Sequence, residues 1–343
     1  MAGCALYKRP GENLTTLVEQ LKDEPQELSS YTAITGKEGF VFAPFAISEN
    51  CPVMVISADR VEQMPVAEVE RVSARLFFLP DEQAKVTNER EQYSHEFSLF
   101  HRELSSKRHQ KLVLSRSTIM QKEEDVTPLH LFRQACERYP QQFVALISTP
   151  RSGTWLMATP EILLEKETSR WHTMALAGTM KAESQQAWSE KNIREQQLVA
   201  SYIKKSLTSV AEKTDESSTD TIRAGRLQHL QTDFRFTPLP QVTTGMLIDA
   251  LHPTPAVCGL PKLSARNFIL QNEQTGRRYY SGFAGPLSLG GETRLYVSLR
   301  CMEIFSHSYR LYAGGGLLED SREEQEWEET EAKMTTMKSL LYV

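Results

Sequence analysis

The stretch from Leu311 to Lys333 constrains this chain most. An apolar run enters three consecutive glycines, Gly314, Gly315 and Gly316, and a strongly acidic segment follows. Ser321 with Glu324 three residues on has the spacing of a capping box, which starts a helix at Ser321. On that helix Glu326, Glu329 and Lys333 fall at i, i+3 and i+7 and share one face. Glycines bring bare backbone N–H groups close to an anion. Two carboxylates, a lysine and a glycine loop in one place suit a divalent cation and a carboxylate-bearing substrate. They equally suit a solvated acidic helix whose first turns complement its dipole, and the rest of the chain must decide.

Composition narrows the classes. The chain has 343 residues, 40% hydrophobic and 24% charged, an ordinary globular profile with length for one large domain or two. Its net charge of −5 argues against nucleic-acid or anionic-membrane partners. Cys4, Cys51, Cys136, Cys258 and Cys301 are odd in number, scattered and without a CxxC pair, which fits reduced thiols in the cytoplasm and no zinc site. The first residues lack the apolar core of a signal peptide, and no apolar run has the length of a membrane span.

Along the chain, Leu14, Leu17, Val18 and Leu21 have helical spacing, while residues 39–45 and 52–56 read as strands. The polar segment 81–110, helical from Glu89 to Leu104, connects an N-terminal portion (1–90) to the remainder (91–343). Lys111 opens a short strand whose alternation puts Lys111, Val113 and Ser115 on one face. A lysine there either snorkels to water or, held in a closed site, serves as a base. Residues 129–139 read as a helix, and 143–150 and 155–161 as strands joined by a turn. Glu161 follows Pro160 at a strand end, where a surface acid is the common occupant. Residues 171–179 form a strand that ends at Gly178, a bend or a close approach to a ligand. The helix over 189–207 carries the stripe Ile193, Leu198, Ala200, Ile203, Leu207, with Glu195 away from it. Residues 211–224 are polar and predict a mobile loop, and 226–239 an extended segment. A short helix over 246–251 ends in the proline-rich loop 252–261, which prolines keep out of central strands. After a helix over 262–273, the segments 279–289, 293–305 and 309–313 predict an antiparallel meander.

Taken in this order, the segments resemble the chorismate-utilising enzymes, the family of isochorismate synthase, salicylate synthase and component I of anthranilate and aminodeoxychorismate synthases. The motifs are Lys111-Leu-Val-Leu-Ser-Arg, Thr159-Pro-Glu, Leu176-Ala-Gly-Thr, Ser189-Glu-Lys-Asn-Ile-Arg-Glu-Gln-Gln-Leu-Val, Leu251-His-Pro-Thr-Pro-Ala-Val, Arg278-Tyr-Tyr-Ser-Gly-Phe-Ala-Gly-Pro, Ser298-Leu-Arg and Tyr312-Ala-Gly-Gly-Gly, the last running on to Glu329-Thr-Glu-Ala-Lys. Each alone is weak, and the set in order is specific; it turns the balance against a merely solvated acidic helix. The resemblance covers about residues 111–341 and leaves 1–90 without a motif.

The resemblance implies an α+β fold, one large domain of two packed antiparallel sheets with helices outside and the site between them. It implies that Glu195 and Glu329 hold Mg²⁺, with Glu326 a ligand or a neighbour of the ion, in keeping with the taste of Mg²⁺ for a few carboxylates completed by water and substrate oxygens. Gly178, Thr179 and Lys333 are expected at the ring carboxylate of chorismate. Arg300, Tyr312 and the Gly314 N–H are expected at its enolpyruvyl carboxylate, with His252 near the reacting edge and Ala256 and Val257 lining the pocket. Lys111 is implied as general base toward water and Glu161 as general acid toward the departing hydroxyl. Members that use ammonia lack that lysine, and the aminodeoxychorismate synthases carry a lysine where this chain has Ala177. Gln197 stands where relatives often have another Glu. The implied activity is isochorismate synthase, feeding menaquinone or siderophore biosynthesis. Salicylate synthase is the alternative, disfavoured by Ala256 and Val257, and a non-catalytic scaffold is disfavoured by the complete set of ionisable groups. The implied partners are chorismate alone, with no amidotransferase subunit, in a monomer or weak homo-oligomer.

Overall fold

The computed structural model describes residues 3–81, 88–122, 126–184 and 186–342. In chain order it contains β1 (Cys4–Lys8), β2 (Leu14–Glu19), β3 (Gln26–Leu28), β4 (Gly39–Ala43), β5 (Val53–Ile56), β6 (Arg60–Pro65), α1 (Glu89–Ser105), β7 (Lys111–Gln121), α2 (Pro128–Arg138), β8 (Phe143–Thr149), β9 (Gly153–Thr159), β10 (Ile162–Lys166) and β11 (Trp171–Lys181). There follow α3 (Glu190–Leu207), β12 (Ala211–Glu216), β13 (Asp220–Ala224), β14 (Leu227–Pro238), α4 (Thr244–Leu251), β15 (Gly259–Leu260), α5 (Lys262–Asn272), β16 (Phe283–Leu287), β17 (Arg294–Val297), β18 (Cys301–Ile304), β19 (Ser308–Leu317) and α6 (Glu323–Lys338). The first sheet runs β15-β7-β19-β18-β9-β8-β1-β2-β6 and the second β12-β14-β11-β10-β17-β16-β4-β5-β3, with β13 also on β14. The α+β architecture of two antiparallel sheets is as expected.

Strand alternation explains how the sheets stack. On β8, Phe143, Ala145 and Ile147 face the second sheet, while Val144 and Leu146 face Leu129, Leu131 and Phe132 around α2. A strand buried on both faces must be apolar throughout, as this one is. Between the sheets Phe143 stacks on Tyr296 with ring centroids 4.1 Å apart, and Phe42 on Tyr279 at 4.2 Å. Helices cover the outer faces, and Ser189 caps α3 by accepting the Asn192 N–H at 3.2 Å.

Four local expectations are corrected. Leu14 to Val18 lie in a strand, β2, paired on both edges with β1 and β6; two flanking strands outweigh a helical spacing of four residues. Residues 211–224 are not a loop but β12 and β13, which both pair with the long β14. An edge strand needs backbone partners rather than a core, so its polar, exposed side chains hid it. The meander over 279–313 is divided: β16 and β17 belong to the second sheet, β18 and β19 to the first. Finally, α6 starts at Glu323, and the Ser321 hydroxyl accepts the Leu318 N–H at 3.0 Å instead of capping the helix.

Candidate active site

Two of the places where the chain passes from one sheet to the other meet. Pro160-Glu161 carries β9 of the first sheet into β10 of the second, and residues 298–300 carry β17 back into β18. The crossings are hydrogen-bonded across: the Val297 N–H donates to the Glu161 carbonyl at 2.9 Å, and the Ala158 N–H to the Arg300 carbonyl at 3.0 Å. Glu161 and Arg300, 139 positions apart in sequence, thereby reach one cavity. Its walls also include Leu176 to Thr179 from β11, His229 from β14, Ala256 and Val257 from the proline-rich loop, Tyr280, Tyr312 to Gly314 and Gly316, Glu195 and Lys333.

Glu161 is fully enclosed. Burial pushes its carboxyl up to about 8, against the pull of Lys111, Lys333 and Arg300, and its Oε1 has no hydrogen-bond partner. At neutral pH it holds a proton. Arg300 is buried, with φ of +46° at the crossing. Its guanidinium donates to His229 Nε2 at 3.1 Å and to Thr336 Oγ1 at 3.4 Å, and among the described residues no carboxylate lies within ion-pair distance. A buried cation without a counter-ion is a seat for an anionic ligand.

Lys111 is wholly buried, which excludes snorkelling, and its Nζ lies 2.8 Å from Glu195 Oε1, outside hydrogen-bond alignment. Glu195 itself is on the buried face of α3 with Gln196, Val199, Ile203 and Leu207, whereas Ile193 is exposed. Of the sequence stripe, Ile203 and Leu207 share this buried face and Ile193 points outward, so Glu195 lies with the stripe's buried end rather than away from it.

The acidic helix faces the glycines as its spacing requires. Glu326 pairs with Lys191, and Glu329 with Lys333 at 2.6 Å; Lys333 also donates to the Gly314 carbonyl at 2.8 Å. Burial raises the Glu326 carboxyl to about 7, with Lys191 opposing and Glu329 adding to the rise. Burial also works against charge on Glu329, yet Lys333 and then Lys191 hold its carboxyl below the ordinary value. A Cβ at position 315 would lie 3.3 Å from Glu326 Oε2 and 3.8 Å from Glu329 Oε1, and one at position 316 would lie 2.0 Å from Glu195 Oε1. Three carboxylates thus border two adjacent glycines, and Glu326 Oε2 has no hydrogen-bond partner. An oxygen-only donor set is the kind a hard divalent cation takes, but lysines balance the charges here and, among the described residues, no three His, Cys, Asp or Glu side chains are grouped to hold a metal ion.

The remaining expected residues divide. Gly178, with φ of +70°, Thr179, Ala256, Val257 and Tyr312 line the cavity. His252 does not: it packs edge-on against Tyr31 and Phe283, with Nε2 3.3 Å from the Pro44 carbonyl. His229, Tyr280 and Lys191 escaped the sequence reading. A histidine at an inward position of the extended segment 226–239 was the available signal for the first; Lys191 carried none, since a lysine in the first turn of a helix is commonplace.

A cavity between the two sheets with a buried acid, an unpaired arginine and carboxylate–lysine pairs suits an anionic small molecule. The family model described as chorismate binding enzyme matches residues 34–342, so the chain belongs to that family. It is 34% identical over 199 residues to the isochorismate synthase MenF of Escherichia coli (strain K12), covering 55% of this chain and 46% of that protein. It is 32% identical over 250 residues to the isochorismate synthase DhbC of Bacillus subtilis (strain 168), covering 66% and 62%. The matches therefore span about half to three fifths of those relatives. The solved structure of the menaquinone-specific MenF of Escherichia coli superposes with a TM-score of 0.78 at 21% identity, over 99% of this chain and 89% of that one. No helix among the described residues is long and apolar enough to cross a membrane.

Proposed function

We propose that this chain converts chorismate to isochorismate, adding water at C2 and expelling the C4 hydroxyl, with Mg²⁺ as cofactor. The observation that carries the reading is Glu161, a carboxyl kept protonated to about pH 8 beside the buried Lys111 and the unpaired Arg300. An acid and a base at opposite edges of one ring are what a 1,5-exchange of hydroxyl groups needs. Arg300, with Tyr312 and the Gly314 N–H, binds the enolpyruvyl carboxylate; Gly178, Thr179 and Lys333 bind the ring carboxylate. Lys111, once neutral, takes the proton of the attacking water, and Glu161 delivers its proton to the leaving hydroxyl. One water enters and one leaves, so the exchange balances. Ala256 and Val257 give the enolpyruvyl side an apolar wall without a polar group to promote pyruvate loss. Glu195 and Glu329, with Glu326 beside them, would hold Mg²⁺, which when bound supplies positive charge against the crowded carboxylates. The names of the relatives support the same chemistry.

Purified protein given chorismate and Mg²⁺ is expected to yield isochorismate without stoichiometric pyruvate, as chromatography and a pyruvate assay read out. Pyruvate with salicylate moves the assignment to salicylate synthase, and no conversion leaves only a binding scaffold. Exhaustive chelation is expected to stop turnover and Mg²⁺ to restore it; full activity without divalent cation removes the role given to Glu195 and Glu329.

A further inference from the structure

We propose that His229 is a positioning residue that aims the Arg300 guanidinium at the anionic end of the substrate without neutralising it. The inference rests on the assignment of Arg300 to a substrate carboxylate.

The imidazole is held from both sides. Its Nε2 lies 3.1 Å from Arg300 Nη2, and its Nδ1 lies 2.9 Å from the Gly178 carbonyl oxygen. A guanidinium has only donors and a carbonyl oxygen only accepts. Nε2 is therefore bare and Nδ1 carries the hydrogen: both neighbours impose the same neutral tautomer. Burial first, and Arg300 next, push the ring down to about 3, in agreement with that geometry.

A neutral acceptor at this place has a purpose that a carboxylate could not serve. Aspartate or glutamate would hold Arg300 more tightly, but it would cancel the charge and compete with the ligand. Imidazole fixes direction and leaves the charge available. Thr336, the other partner of Arg300, is likewise neutral. The same ring also fixes the Gly178 carbonyl, in a turn where φ is +70°. Gly178 and Arg300 are the expected seats of the two substrate carboxylates, so one side chain sets the spacing between them.

The test compares His229→Gln, His229→Ala and His229→Glu in steady-state kinetics with chorismate, beside ¹⁵N NMR of the ligand-free wild type. In the spectrum, His229 is identified by its absence from His229→Gln. Glutamine Oε1 can accept at the Nε2 position, so kcat/KM is expected within about 5-fold of wild type, whereas Glu, which pairs with Arg300, should raise KM at least about 10-fold with a smaller change in kcat. Alanine should fall between them. A merely structural histidine predicts that Gln and Glu, nearly equal in shape, suffer alike. The inference is overturned if Glu is no worse than Gln, or if His229 carries its proton on Nε2 or is an imidazolium at pH 7. The tautomer is read without substrate, so a wild type that ignores chorismate defeats the functional assignment, while a wrong tautomer defeats this inference alone.

Discussion

Glu161→Gln is expected to lower kcat by at least about 100-fold, the lower end for loss of a general acid, while chorismate still binds. The amide keeps the shape of the carboxyl and cannot surrender a proton to the leaving hydroxyl. Binding should survive because the proposed carboxylate seats, Arg300 and Lys333, lie elsewhere in the chain. Lys111→Ala should behave alike, with kcat and kcat/KM falling together if each group acts only in the transition state. The pH profile adds a signature. As the proposed acid, Glu161 acts protonated and loses its proton as pH rises through about 8, so wild-type kcat/KM should decline on the alkaline side from about that value. The residual activity of Glu161→Gln should lack this limb. The same carboxyl affects stability. Folded protein keeps a proton that the unfolded chain releases above 4.5, so its contribution is full below that pH and is lost as pH rises through about 8. Turnover near wild type in both variants would remove the acid–base assignment and leave the family membership untouched.

Gly316→Ala is expected to be nearly as damaging to activity, although it adds one methyl group. That Cβ would lie 2.0 Å from Glu195 Oε1 and 2.9 Å from Lys111 Cε, closer than any real contact. Glu195 and Lys111 are both buried, and the atoms met are the ends of their side chains, so these groups rather than the backbone must give way. The pair must separate, so the proposed base and a proposed metal carboxylate are displaced at once. We expect a loss of activity of about 100-fold or more and a destabilisation of ~1–3 kcal/mol, typical of overpacking. Gly315→Ala is the control: its Cβ would meet Glu326 Oε2 at 3.3 Å, a contact that a shift of a few tenths of an ångström relieves. Kinetics and denaturant unfolding of both variants check the contrast. Equal, mild effects would mean that the Glu195–Lys111 pair is not confined by the glycine strand.

Much of this architecture is written locally. The 3.6-residue period sets Glu326, Glu329 and Lys333 on one face of α6, and the bare backbone of Gly314 to Gly316 admits them. The helix over 189–207 and the strand run of β8 were likewise readable, because periodicity and alternation depend on neighbours in sequence. The order of the motifs along the chain carries the resemblance to the family to which the chain belongs. Local pattern misled where long-range pairing outweighed it. β2 is a strand because β1 and β6 flank it, and β12 and β13 are strands because β14 offers a free edge to each. Only the tertiary structure decided that Glu161 and Arg300 are neighbours, since two sheet-to-sheet crossings far apart in the chain must hydrogen-bond to bring them together. It alone placed Lys111 against Glu195 and His229 between Arg300 and Gly178. The identity of a side chain determines the chemistry it can perform. Its proton, charge and partner depend on burial and on distances across the fold, which no periodicity encodes.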